Sequence, residues 1–406
     1  MMLASGQTTR TVSRMSSAAC VTAALLAIAG AHAGAQEPYA RIGEILAESV
    51  AGGRIAGGVA GVARDGRVEY VVASGVQDLD SRAPMTERSL FRVYSMTKAV
   101  TAVAILILRD EGRLGLDDPA SRYLPELADV VVLQPDGTTR PPARAITIEH
   151  LLLHTAGFSH RTSPEYRDAG VRSRSITLER FVQNVARVPL RFDPGERYLY
   201  SESPTVLGRI VEVASGMHFD DFLEARVLGP LGMGDTGFWV GPADRPRLTT
   251  VYRHADGGLE PLELEELPFT ERPALLEGAV GLVSTVPDFL RFAQMLANRG
   301  ELDGVRILRA STVDELTRNG LPESILATRR AGAGWGLASV SVVTDAAAAG
   351  GGARPGEYRW DGSAGTEFWV DPTSRTALVT MWQSAPANPD GLRQRITEVV
   401  REALPR

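Results

Sequence analysis

The two ends of this 406-residue chain carry the same pattern, and that constrains the fold more than any other feature. Near the start, "GGVAGVARDGRVEYVVASG" sets two β-rich runs on either side of Asp65-Gly66, a dipeptide suited to a tight hairpin turn. Near the end, "TEFWVDPTSRTALVTMWQ" again reads strand, turn, strand. Each hairpin has an amphipathic helix beside it. Ile42, Ile45, Leu46 and Val50 stripe the first helix, which Gly52-Gly53 ends; Leu392, Ile396, Val399 and Val400 stripe the last. One antiparallel sheet assembled from both ends and flanked by these helices is the economical arrangement.

The middle has helical period instead. "SMTKAVTAVAILILRDEGRLGLDDP" is a long apolar helix ended by Gly112, with Val100, Val103, Ala104 and Ile107 as its buried stripe. "ITIEHLLLHTAGF", "ITLERFVQNVARV", "SPTVLGRIVEVASG" and "HFDDFLEARVLGPLGM" follow in the same manner. The fold class is therefore α/β of the α+β type. A sheet region (36–90 and 275–406) encloses an inserted, mostly helical region (91–274), with the active site between them. Gly137 to Ala145 is expected as a loop, and the low-complexity Thr344 to Gly356 as a flexible one.

Ahead of the fold, Arg10 and Arg14 precede the apolar run Ala18 to Gly30 and the small residues "AHAGAQ". This is the pattern of a secretory signal peptide over 1–35, cut after Ala33 or Ala35, with initiation at Met15 also compatible. The apolar run is shorter than the roughly 20 residues a membrane span needs. The expected mature protein is periplasmic or secreted, without a membrane anchor. Cys20, the sole cysteine, falls inside the signal, so the mature chain has no disulfide, thiol nucleophile or thiolate metal site. A formal net charge of -6 and the lack of any basic block argue against a nucleic-acid partner.

One residue count points to chemistry. The chain holds 42 arginines and a single lysine, Lys98. Arginine serves as well for surface charge but does not release its proton in a protein, whereas a buried lysine does. Ser95 stands three residues earlier, on the same helical face in an S-x-x-K arrangement. A neutral amine beside a hydroxyl activates it as a nucleophile, and the free N–H groups of a helix start stabilise an oxyanion. The alternative is a composition accident, one lysine left over in an arginine-rich chain.

The surroundings favour chemistry. "FRVYSMTKAVTAVAILILRDEGRLGLDDPASRYLPEL" resembles the nucleophile segment of the penicillin-recognising serine hydrolases, which include class C β-lactamases, DD-peptidases and family VIII esterases. "LLLHTAGFS", "PGERYLYSESPTVLGRIVEVASG", "EGAVGLVSTVPDFLRFAQML" and "YRWDGSAGTEFWVDP" resemble later segments in the same order. The resemblance implies a β-lactamase/transpeptidase-like fold and an acyl-enzyme formed on Ser95, with Lys98 as base. It also implies that Tyr200 shares their proton network; the nearby Tyr198 fits the motif less well. The family's Tyr-x-Asn reads Tyr200-Ser201-Glu202 here; the role of Glu202 is left open, a plain surface residue being one reading of it.

The family's Lys-Thr-Gly has no lysine to match. Trp360-Asp361-Gly362 stands in its place, followed by Ser363. The resemblance implies oxyanion donors on the N–H groups of Ser95 and Ser363, with close backbone approach at Gly362. A tryptophan in place of a carboxylate-anchoring lysine turns the expectation toward neutral esters. Arg354 or Arg359 is the expected source of a cation if the substrate is instead a β-lactam or a D-amino-acid peptide. The expected partner is thus a small-molecule ester or amide, with no cofactor and no metal; the oligomeric state is left open. A non-catalytic peptidoglycan or peptide binder, or a self-assembling protein, is the reading from another class.

Other features take plainer readings. His150 and His154 have i, i+4 spacing, but no Glu follows His150 as in H-E-x-x-H and no third ligand stands out. A Ser-His-Asp triad using His150, His154, His160, His218 or His254 is arithmetically possible, yet the S-x-x-K pair supplies its own base. Asp117-Asp118-Pro119 caps a turn rather than forming an acid–base pair. Trp335 is either sheet core or a wall of the cleft.

Overall fold

The computed structural model describes residues 37–405 except residue 266; the signal-peptide reading and Cys20 lie outside the described residues. Helix α1 (Ala40–Ala51) leads into strands β1 (Gly57–Arg64) and β2 (Arg67–Gly75). Asp65 and Gly66 both take positive φ, 51° and 79°, the pair of left-handed residues that a two-residue hairpin turn requires. The helical segment brings α2 (Thr97–Asp110) and α3 (Ser203–Ser215), and α4 (Val286–Ala297) follows. The chain then returns as β3 (Ala333–Gly336), β4 (Val340–Val343), β5 (Tyr358–Gly362), β6 (Thr366–Asp371), β7 (Thr376–Trp382) and α5 (Leu392–Glu402).

The seven strands form one antiparallel sheet in the order β3-β4-β5-β6-β7-β1-β2. Its central seam joins the two ends of the chain: β1 pairs β7 from Gly58 opposite Trp382 to Arg64 opposite Thr376. On one face, α1 and α5 bury Ile42, Ile45, Leu46, Ile396 and Val400 against Trp369, Leu378 and Trp382. Each such aliphatic side chain contributes on the order of 1.5–3 kcal/mol on burial. Val399, expected in the stripe, is only half-buried. On the other face, Phe289 and Phe292 of α4 pack against Phe368 with ring centroids 5.5 and 6.4 Å apart. Gly61 of β1 permits that approach, since a Cβ there would lie 2.9 Å from Val286 Cγ1.

The stripe expected for α2 is buried as read, and the enclosure goes further. Helix α2 is not amphipathic: every residue from Thr97 to Leu108 is buried, Lys98 included. It lies inside the molecule with α3 packed along it, and a helix buried all round has no solvent face. The low-complexity stretch at 344–356 contains a helical turn, Ala346–Ala349, because the Asp345 side chain accepts from the N–H groups of Ala347 and Ala348. Two short strands, Tyr252–Ala255 and Gly258–Pro261, also lie within the span read as helical.

Candidate active site

Ser95 sits in a single 3-10 turn, Tyr94–Met96, that runs directly into α2. The residue before it, Tyr94, is fully buried and holds φ at 43°, a conformation rare for an aromatic residue. The end of β5 clamps this turn. A Cβ on Gly362 would lie 2.5 Å from the Val93 carbonyl oxygen, and Thr366 Oγ1 donates to the same oxygen at 3.3 Å. Only glycine fits there, so the strand end and the nucleophile turn lie backbone against backbone. Ser363 follows in the exposed turn beyond the strand.

Helix α2 carries Lys98 back beneath Ser95. Its Nζ lies 3.2 Å from Ser95 Oγ and donates to the Ala279 carbonyl at 2.8 Å. Lys98 has no exposed surface. Burial disfavours its ammonium and the Arg161 charge adds to this, outweighing Glu202 and Glu277, so its pKa falls to about 7. Near neutral pH the amine is therefore free to accept a proton.

Tyr200 completes the group. Its hydroxyl lies near Ser95 and accepts from Trp360 Nε1 at 3.2 Å, and its ring centroid lies 4.6 Å from Lys98 Nζ. Burial pushes its hydroxyl well above the ordinary tyrosine value, so it stays a phenol that can donate a proton. Tyr198 packs on Trp335 instead, under the Arg329 guanidinium. Five of the six site residues expected from sequence thus converge (Ser95, Lys98, Tyr200, Trp360 and Gly362), and Ser363 stands one residue beyond Gly362.

Several readings need correction. Glu202 is not a surface residue: it is 1% exposed at the start of α3. Its two-residue spacing from Tyr200 on the segment entering a buried helix carries the carboxylate inward. Arg354 and Arg359 supply no cation to the site. Arg354 pairs with Asp371 and Arg359 with Glu367, and strand alternation turns Arg359 away from the face that bears Trp360. Arg161, paired with Glu265 at 3.3 Å, is near enough to act on Lys98, and sequence reasoning missed it. Trp335 is fully buried, edge-on to Trp360 at 4.5 Å, so it is core beneath the site rather than cleft wall.

The histidines act locally. His150 Nδ1 accepts from the Thr147 N–H in the cap of the Ile148–Leu152 helix. His154 lies past the end of that helix with φ of 56°, so the two do not share a helical face. His154 Nδ1 accepts from the Ser201 N–H at 3.1 Å, and its ring packs on Tyr200 at 4.8 Å. His160 also stacks on Tyr200, at 5.9 Å. Together they brace the tyrosine. Asp118 accepts from the Gly115 N–H and the Tyr123 hydroxyl, the turn-capping role read for it. A cavity of about 390 Å³ elsewhere, between Arg359 and Arg401, contains none of the residues around Ser95. That cavity lacks the Ser95–Lys98–Tyr200 geometry.

Comparison with known proteins finds relatives along most of the chain. The family model described as Beta-lactamase matches residues 42–401. Protein Rv1367c of Mycobacterium tuberculosis is 36% identical over 358 residues, 82% of this chain and 87% of that one. Esterase EstB of Burkholderia gladioli is 30% identical over 393 residues, covering 90% and 94%. Among solved structures, EstCE1, a hydrolase with promiscuous acyltransferase activity, superposes with a TM-score of 0.81 at 27% identity, covering 91% of this chain and 99% of that one.

Proposed function

The chain belongs to the beta-lactamase family and is a serine hydrolase of it, and we propose that it cleaves neutral carboxylic esters through an acyl-enzyme on Ser95. The observation that carries this reading is the buried Lys98 Nζ, 3.2 Å from Ser95 Oγ and neutral above about pH 7. Lys98 takes the Ser95 proton as Oγ bonds to the ester carbonyl carbon, and the carbonyl electron pair moves onto oxygen. The N–H groups of Ser95 and Ser363 receive that oxyanion. Collapse expels the alcohol, which takes a proton through Tyr200. Water then releases the acid and restores Ser95.

The neutral-ester preference is supported by Trp360 at the position where the family carries a lysine, and by the outward course of Arg354 and Arg359. The esterase identity of a 30% identical relative points the same way. Arg161 favours a second reading, a β-lactam or D-amino-acid peptide anchored by its carboxylate. We also propose export, on the signal-like 1–35; the N-terminal residue of the secreted protein tests it. For the activity, hydrolysis of p-nitrophenyl butyrate is measured beside nitrocefin, with Ser95→Ala and Lys98→Arg as controls. Ester turnover lost in both variants is expected. Nitrocefin turnover without ester turnover would replace the first reading by the second.

A further inference from the structure

The carboxylates around Lys98 differ in one respect. Glu277 is held by Arg172 at 2.5 and 2.8 Å, and Glu265 by Arg172 and Arg161 at 2.6 and 3.3 Å. Glu202 has no ion-pair partner among the described residues. Its Oε2 accepts one long bond from Thr205 Oγ1, at 3.4 Å, and its buried Oε1 has no partner. A carboxylate so enclosed is costly unless a nearby charge offsets it. Burial pushes its pKa up, yet Lys98, Arg161, His160 and Arg172 together hold it below the ordinary value, so it stays ionised.

Glu202 is also tied to the base through a short chain. Thr205 Oγ1 donates to Glu202 and accepts from the Ala279 N–H at 3.2 Å, while the Ala279 carbonyl accepts from Lys98 Nζ at 2.8 Å. The same residue, Ala279, therefore meets both groups, through the N–H of one peptide and the carbonyl of the next. In the acylation step, breaking the Ser95 O–H bond and protonating Nζ creates an ammonium in a fully buried position. Arg161, itself paired with Glu265, still opposes that ammonium, while Glu277 is shared with Arg172, which leaves Glu202 as the unpaired acid beside it.

We propose that Glu202 is a positioning residue for Lys98, its buried carboxylate supplying the counter-charge for the ammonium formed when Lys98 takes the Ser95 proton. The proposal rests on Lys98 acting as the base.

The single lysine makes the test direct. Protein made with ¹³Cε- and ¹⁵Nζ-labelled lysine gives one side-chain ammonium signal, from Lys98, and its titration needs no substrate. Wild type is expected to titrate with a midpoint of about 7. Glu202→Gln, which keeps the shape and removes the charge, should lower that midpoint by about one pH unit and slow ester kcat about tenfold with little change in KM. Glu202→Asp, which keeps the charge, should shift it less. A Gln midpoint unchanged or raised overturns the proposal, whatever the activity. A wild type inert towards esters, with the Gln shift present, retires the ester reading and leaves the role of Glu202 standing.

Discussion

Helices α1 and α2 have opposite relations to solvent. Helix α1 buries one stripe, Ile42, Ile45 and Leu46, and presents Arg41, Glu44 and Glu48 to water as exposed ion pairs. Helix α2 is enclosed all round and carries Lys98 in its first turn. Apolar burial in α1 stabilises the fold and does nothing for chemistry. In α2 the same degree of enclosure is turned against a charge: desolvation costs stability and produces a neutral amine beside a serine. The molecule thus separates a helix that holds the sheet from one that encloses an ionisable side chain at a cost in stability.

The sharpest way to break this contrast is Lys98→Met. Ester kcat/KM should fall at least about 10³-fold while the thermal midpoint holds or rises by a few degrees. A marked loss of stability on calorimetry would mean the amine is a structural post. The converse is Ile396→Ala in the α1–α5 layer. It should cost roughly 2–4 kcal/mol in urea unfolding with kcat per folded molecule unchanged. Tyr200→Phe should lower kcat about 10²-fold with a small change in stability, since the ring and its packing against His154 remain.

The pH dependence sharpens the comparison further. Ester kcat/KM should rise about tenfold per pH unit up to about pH 7 and then level, as Lys98 loses its proton. The same shift has a stability consequence of definite sign. The folded-state pKa lies below the unfolded value of 10.5, so the unfolded chain binds the extra proton between about pH 7 and 10.5. The Lys98 contribution to stability therefore grows with pH across that window and is lost as pH falls towards 7. Unfolding curves at pH 7 and 9 should show that gain in wild type and not in Lys98→Met. Smallest of all, Arg41→Ala should leave the melting temperature unmoved, because its ion pairs with Glu44 and Glu48 lie in solvent.

The legible parts of the molecule are those where local pattern and final environment agree. The Asp65-Gly66 turn, both terminal hairpins and the stripes of α1 and α5 have periodicities that solvent on one side enforces. Helix α2 breaks that rule, and its expected stripe understated its burial because enclosure comes from partners distant in sequence. The helical turn at Ala346 was hidden by low complexity, though Asp345 is a local cap signal. Of the site, the S-x-x-K pair and Tyr200 were readable. The Ala279 carbonyl under Lys98, the approach of Arg161 and the burial of Glu202 were not, since each depends on which segment crosses above α2.

The sequence by itself determined the residue inventory: one lysine, a serine three positions before it, and a tyrosine and tryptophan in matching segments. It also determined that the two ends pair into one sheet, because each offers a hairpin and an amphipathic helix that have no other surface to cover. Only the tertiary structure decided what those residues are chemically. Whether Lys98 is an ammonium or an amine, and whether Glu202 is a solvated acid or a buried counter-charge, follows from desolvation and from charges brought within a few ångströms. These are properties of three-dimensional surroundings, which residue spacing does not specify.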